Sequence, residues 1–401
     1  MKVNIFNKNN VKRAAASCMA LAASFSLYAY DLVEDGISYT ILPDRDHCVE
    51  VSAAERTLTN IDIPSKVNIN GNDYTVVSIG TEALYFHHTR KLKLPPTLEN
   101  IGSLGLYCIL NLEYITIPEN VSTMGYCCLA DSYYFSLIIP DKVEIIDGLF
   151  DSQRNLHTVV LGRNTKEIKS FAFRDVRTLR EMYVMCPEPP TLARYPFWHC
   201  YSPDAIIYVP KEALDKYPVN QPQNAEGKMM SPPFEPTSTD TSWTFFHDFR
   251  PIPDLFIVTG REEYVKGPGN RDYLRSDVVN YAGVDILSDK WVYDPEIVSI
   301  DGDIFTALAP GKTTMKRVIE TSSGTFESHE IKLTVIDPDV AGVELPAVDP
   351  TEQGGMPDYV GSASAEYFTI DGIPAGSDPD RLAPGIYIER DHGKTRKFIK
   401  H

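Results

Sequence analysis

Two short stretches of this chain gather side chains capable of acid–base or metal chemistry. His87-His88 is the one adjacent histidine pair, and Asp44-Arg45-Asp46-His47 sets two carboxylates beside an imidazole. A shared metal needs both imidazoles on one side, whereas alternation along a short extended segment sends neighbours to opposite sides. His87 and His88 therefore read as surface or turn residues. The Asp44–His47 cluster falls in a loop, where solvated charge is the default. Asp371, Asp378 and Asp380 lack the spacing of a calcium loop. No G-x-S-x-G elbow, H-E-x-x-H, P-loop or G-x-G-x-x-G fingerprint is present. Cys48, Cys108, Cys127, Cys128, Cys186 and Cys200 contain no C-x-x-C pair and sit apart from clustered histidines. Cys108 and Cys128 suit buried free thiols, because an unoxidised cysteine packs as a small hydrophobe. The chain reads as non-enzymatic, with no cofactor and no metal.

Recognition chemistry is easier to place. Paired apolar residues recur at Ile61/Ile63, Leu92/Leu94, Ile115/Ile117, Leu137/Ile139 and Val159/Leu161. On a strand both members of such a pair point to one side, and the residue between them points to the other. The between-positions form a column: Asp62, Lys93, Thr116, Ile138, Val160, Tyr183 and Tyr208. One step earlier lies a second column: Asn60, Lys91, Tyr114, Ser136, Thr158, Glu181 and Ile206. The first column changes from charged to apolar and aromatic along its length. An exposed apolar strip rimmed by polar groups marks an interaction site, although β-branched and aromatic residues also simply suit strands. The candidate partner-binding face is Tyr114, Thr116, Ile138, Val160, Tyr183 and Tyr208.

The elements that would position this face repeat. Anchors stand at Ile79-Gly80, Ile101-Gly102, Met124-Gly125, Ile146-Asp147 and Ile168-Lys169, spaced by 22, 23, 22 and 22 residues. A fixed period in the low twenties is the signature of a solenoid, whose coils bury their apolar sides only by stacking. The proline after most apolar pairs ends each strand, since it has no N–H for a ladder. The segment after each anchor, such as Phe171-Ala172-Phe173-Arg174, is expected as a turn or short helix. Residues 30–60 alternate as a hairpin-like cap, and Asn70-Gly71-Asn72-Asp73 marks a turn in an insertion.

Ile79-Gly80-Thr81-Glu82-Ala83-Leu84, Leu112-Glu113-Tyr114-Ile115-Thr116-Ile117-Pro118 and Ile168-Lys169-Ser170-Phe171-Ala172-Phe173 resemble the BspA-like leucine-rich repeat of bacterial surface proteins. Leu84, Asp147 and Gly162 depart from that pattern. Pro187–Leu192 and Ile206–Lys211 resemble the last coil, and Trp243-Thr244-Phe245-Phe246 the closing cap. Between them, residues 221–240 are rich in Pro, Ser and Thr and read as an insertion. The resemblance implies adhesion to host or neighbouring-cell components.

Residues 253–337 change character to short alternating runs separated by Gly, Asp and Pro turns, the spacing of a seven-strand sandwich. The run from Trp291 to Thr314 resembles a bacterial immunoglobulin-like domain of the Big group. Residues 338–362 read as a proline- and glycine-bearing linker. Residues 363–401 resume alternation, and Leu382-Ala383-Pro384-Gly385-Ile386-Tyr387 with Gly393-Lys394 and Lys397 resembles the sorting tail of type IX secretion cargo. The fold class is mainly β: a leucine-rich-repeat solenoid over residues 30–252, then an Ig-like sandwich, then a small β module.

Lys12-Arg13 precede an apolar run in residues 1–29, which read as a signal peptide. Its loss removes Lys2, Lys8, Lys12 and Arg13, so 38 basic residues fall to 34 against 55 acidic, and −17 becomes −21. Such a chain is repelled by phosphate backbones and anionic lipid, so nucleic acid is excluded as a partner. The expectation is an exported protein, secreted or displayed on the outer surface. It would have no membrane-spanning segment once mature, and would bind a host or neighbouring-cell protein or glycan. The alternative is a structural component of the envelope without a soluble ligand.

Overall fold

A computed structural model describes residues 30–200, 202, 204–217 and 243–336, together with the backbone of four strands between 366 and 400. The expected signal peptide, the 221–240 insertion and the 338–362 linker lie outside these residues. Strands Leu32–Glu34, Ile37–Ile41 and Cys48–Ala54 run antiparallel and open the solenoid. The last of them pairs in parallel with Asn72–Ile79, which also forms a hairpin with Lys66–Ile69. The hairpin turns on Asn70 (φ 53°) and Gly71 (φ 85°), two left-handed residues of the kind that suits the twist of a two-residue turn.

Each following coil has three sides. The first carries the inward apolar pair, and every such residue from Ile61 to Val209 is buried. Ser136–Ile138, Thr158–Leu161, Glu181–Val184, Ile206–Val209 and Asp248–Pro251 stack here as a five-stranded parallel sheet. The second side carries the anchors as two-residue strands, with Ile101 opposite Met124 and Ile146 opposite Ile168. Coils approach so closely at Gly102 that a Cβ there would lie 2.7 Å from the Thr81 nitrogen, so the glycine after the anchor is sterically required.

The third side takes one of the two expected forms: the described coils contain turns and no short helices. Two left-handed positions per coil prevent a helix from propagating. Glu82, Leu104, Cys127, Phe171 and Tyr195 occupy the first, and Phe86, Cys108, Asp131, Ser152, Asp175 and His199 the second. This conformation turns the backbone groups toward the adjacent coil, giving a second hydrogen-bond ladder. Phe86 N donates to Tyr107 O at 3.0 Å, Cys108 N to Ala130 O at 2.9 Å, and Ser152 N to Arg174 O at 2.7 Å. Among the described residues the helices are 3-10 turns at Lys211–Lys216 and Trp243–Phe245. The second closes the solenoid: Trp243 and Phe246 are buried, and Trp243 Nε1 donates to Pro190 O at 3.2 Å. The six cysteines among the described residues are free thiols, and Cys108 and Cys128 are buried as expected.

Residues 252–336 form a second β unit. Its larger sheet joins Glu263–Lys266, Ile331–Val335, Gly311–Thr321 and Ile286–Val292, with Thr325–Glu327 alongside. A smaller sheet joins Arg271–Tyr273, Ile304–Ala307 and Val298–Asp301. Side chains from both sheets, among them Tyr264, Val298, Phe305, Met315 and Leu333, meet in one core. A further pair, Phe256–Thr259 with Ser276–Val279, lies against the solenoid. Near the C-terminus, Glu366–Thr369, Pro374–Gly376, Gly385–Asp391 and Lys394–Lys400 form a four-stranded antiparallel sheet.

Candidate functional site

The inward pairs fix which residues face out, and the structure divides that outward face in two. In its C-terminal half, Val160 and Tyr183 are 1% and 5% exposed, and they share a core with Met185, Ile252, Phe256 and Val258. Ile138 and Tyr208 pack against the same core. Tyr183 is sandwiched between Phe256 (ring centroids 3.8 Å apart, 3° between planes) and Tyr208 (4.5 Å, 9°). Burial pushes the Tyr183 phenol far above its ordinary range. The expectation that Ile138, Val160, Tyr183 and Tyr208 face solvent is therefore corrected: the second β unit covers them. The physical reason is the apolarity of the strip. Each buried apolar side chain contributes roughly 1.5–3 kcal/mol, and Phe256 and Val258 supply a matching surface in the same chain.

Polar contacts surround that apolar patch. Arg180 pairs with Glu262 at 2.5 Å, His329 Nε2 lies 3.2 Å from Glu181 Oε2, and Arg261 pairs with Glu113 at 2.8 Å. Arg163 lies 4.7 Å from the Tyr281 ring centre and donates to the Tyr281 carbonyl. The hydrogen bond with the Glu181 carboxylate raises the His329 pKa. Burial, followed by the nearby Arg180 charge, depresses His157 to about 4.

The N-terminal half differs because the parallel ladder is broken there. Asn60–Asp62 pairs with Lys91–Lys93, but no described strand pairing joins Lys91–Lys93 to the next coil at Tyr114–Ile117. Regular pairing resumes with Ser136–Ile138. Arg275, its side chain 4% exposed, reaches across from the second unit to this break. Its Nη1 donates to Ile115 O at 3.0 Å and Ser136 O at 3.3 Å, and its Nε meets Asp277 at 2.5 Å. A guanidinium thus satisfies carbonyls that a strand neighbour would otherwise engage. The Tyr114 ring lies 4.7 Å from that of Tyr273.

Beside this contact opens a cleft of about 1090 Å³. Asn60, Asp62, Lys91 and Lys93 line one wall, Tyr114 and Thr116 the next coil, and Arg271, Asp272, Tyr273 and Ile304 the second unit. Of the six sequence-selected residues, the structure brings Tyr114 and Thr116 into this cleft. Tyr114 is half-buried and Thr116 exposed. Asn60, Asp62, Lys91 and Lys93 stood in the outward columns but were not selected, because they lack the apolar character used as the signal. Arg271, Asp272 and Tyr273 were missed altogether, since single-sequence periodicity carries no information about how two units dock. His87 is buried and its Nε2 bonds Glu55 O at 2.9 Å, a structural role. Among the described residues no group of three or more His, Cys, Asp or Glu side chains is placed to hold a metal ion.

Residues 77–203 match the family model for the BspA type leucine rich repeat region, in six copies. The sixth coil includes the anchor Leu192, later than the five anchors regular enough to stand out in the sequence. Among solved structures, a leucine rich cell surface protein of Faecalibacterium prausnitzii is 19% identical at a TM-score of 0.35, covering 44% of this chain and 54% of that one. A leucine-rich repeat protein of Bacteroides ovatus is 20% identical at 0.30, covering 46% and 60%. The leucine rich repeat protein of T. pallidum is 17% identical at 0.34, covering 42% and 89%. This chain thus spans a little over half the length of the first two. A search of the curated proteins finds no match.

Proposed function

We propose that this chain is a non-enzymatic binding protein of the bacterial surface, and that it holds its partner in the cleft between the solenoid and the second β unit. The carrying observation is that cleft, where outward solenoid residues and the second unit face one open volume. Concave sites with a few converging polar groups are the usual places for ligands. The repeat family supports an adhesive or interaction role. Export by residues 1–29 and sorting by residues 363–401 complete the reading, with a Big-type second unit as the spacer. No helix among the described residues is long and apolar enough to cross a membrane.

The test is a binding screen of the full mature chain against matrix proteins, bacterial surface proteins and glycans, repeated with Thr116→Trp. Thr116 is exposed, so the indole fills the cleft without disturbing a core. We expect at least a tenfold loss of affinity with unchanged thermal stability; unchanged affinity would place the partner elsewhere. Capture of envelope components alone would favour the structural role. For sorting, a truncation before Glu366 should leave the protein in the periplasm, and normal display of that truncation would refute the signal.

A further inference from the structure

Resting on the cleft reading, we infer that the ligand is an extended acidic peptide, which adds as a strand to the free edge of Lys91–Lys93 and places its carboxylates on Lys91 and Arg271. Three independent observations converge on it.

The first is the broken ladder. Lys91–Lys93 has a strand neighbour on one side, Asn60–Asp62, and none among the described residues on the other. Lys91 N donates to Thr59 O and Ile63 N donates to Lys93 O, so the open edge offers the Leu92 N–H and C=O; an edge with unpaired backbone groups is a template for another chain. At the same break Ile115 O and Ser136 O are already engaged by Arg275, which leaves the Lys91–Lys93 edge as the one to be completed. Leu92 and Leu94, at 9% and 7%, are the most exposed of the inward apolar pairs, so the core itself is least tightly sealed there.

The second is charge. Of the ionic side chains lining the cleft, Lys93 is paired with Asp62 at 3.1 Å, and Asp272 with Lys266 at 2.8 Å. Lys91 and Arg271 make no ion pair among the described residues, and they sit on opposite walls. Two unmatched cations in a chain of net charge −17 mark a local preference opposite to that of the whole surface. Lysines on an open edge also disfavour apolar strands, which would desolvate the ammonium groups without compensating them, and this narrows the choice to acidic ones.

The third is shape. Tyr273 and Ile304 line the cleft on the second-unit side, and Ile304 is 39% exposed. An added strand would present alternate side chains to the second-unit wall and to the solenoid interior beside Leu92, so an acidic set facing Lys91 and Arg271 and an apolar set facing the core would each find a match.

The probe is a fluorescein-labelled octapeptide alternating Glu and Val, titrated into the full chain and followed by anisotropy. We expect saturable binding, weakened at least tenfold by Lys91→Glu, by Arg271→Glu and by 0.5 M salt. Binding should also weaken at least tenfold when alternate peptide nitrogens carry methyl groups, because strand addition needs those N–H donors. A Lys/Val peptide should not bind. Equal binding of the methylated peptide would overturn strand addition. An oligogalacturonate that binds while the peptide does not would overturn the peptide assignment. Thr116→Trp separates the two proposals: if it abolishes capture of a partner while the peptide never binds, the cleft stands and only the ligand class falls.

Discussion

The two halves of one outward sheet face show opposite solutions to the same problem. Both are built from the residue between two inward apolar ones. In the C-terminal half that residue is Ile138, Val160, Tyr183 or Tyr208, and a second unit of the same chain covers it. In the N-terminal half it is Asp62, Lys93 or Thr116, and it faces an open cleft. An apolar column on a solenoid is thus a docking site for the nearest complementary surface, which here is intramolecular. Effective concentration favours the tethered partner over any free one.

Three changes test that contrast, in descending order of effect. Tyr183→Asp places a carboxylate between two rings and beside Glu181, where burial of an unpaired charge costs about 3–5 kcal/mol. It should detach the second unit, seen as new protease cleavage near Ile252 and a drop in the unfolding midpoint; an unaltered digestion pattern would break the comparison. Arg275→Ala leaves Ile115 O and Ser136 O without the guanidinium, and should cost about 2–3 kcal/mol. Arg275→Lys should rescue little of it, because an ammonium lacks the planar fork. Full rescue would show that charge alone closes the break.

The third change is a pH profile. The His157 pKa is depressed from 6.5 to about 4, so its contribution is complete above 6.5 and lost as pH falls toward 4. The His329 pKa is raised, so its contribution is complete below 6.5 and lost as pH climbs through the elevated value. Urea midpoints between pH 4 and 9 should therefore peak near the ordinary histidine range. His157→Gln should flatten the acid limb alone, and His329→Gln the alkaline limb alone. A single variant that flattens both limbs would show that the two sites are not separable.

Much of the solenoid was legible because its periodicity encodes burial directly. Every inward pair from Ile61 to Val209 is buried, and the cap and hairpin lie where alternation put them. The turn segments were less legible. Left-handed backbone at Leu104, Phe171 or Tyr195 runs against the local preference of those residues and is imposed by stacking between coils. The candidate face was half legible. Alternation correctly sent Tyr183 outward from the solenoid, but outward from one unit was inward to another. Val160, buried beside Phe256 and Val258, belongs to a contact made between residues nearly a hundred positions apart. The open end was legible only as a change of character at Lys91 and Lys93.

The guanidinium bridge has a consequence for how the chain acquires its structure. A solenoid grows coil by coil, each contact spanning about twenty residues, so its loop-closure cost stays low. Arg275 breaks that rule: its bonds to Ile115 and Ser136 span 160 and 139 residues. During synthesis the coils on either side of the break emerge long before the residue that bridges them. Until Arg275 has been made, Ile115 O and Ser136 O lack this donor, and the two coils are held by the shared core and the turn-side ladder. The late side chain therefore ties the early coils to the unit that follows through contacts that only the completed chain can make.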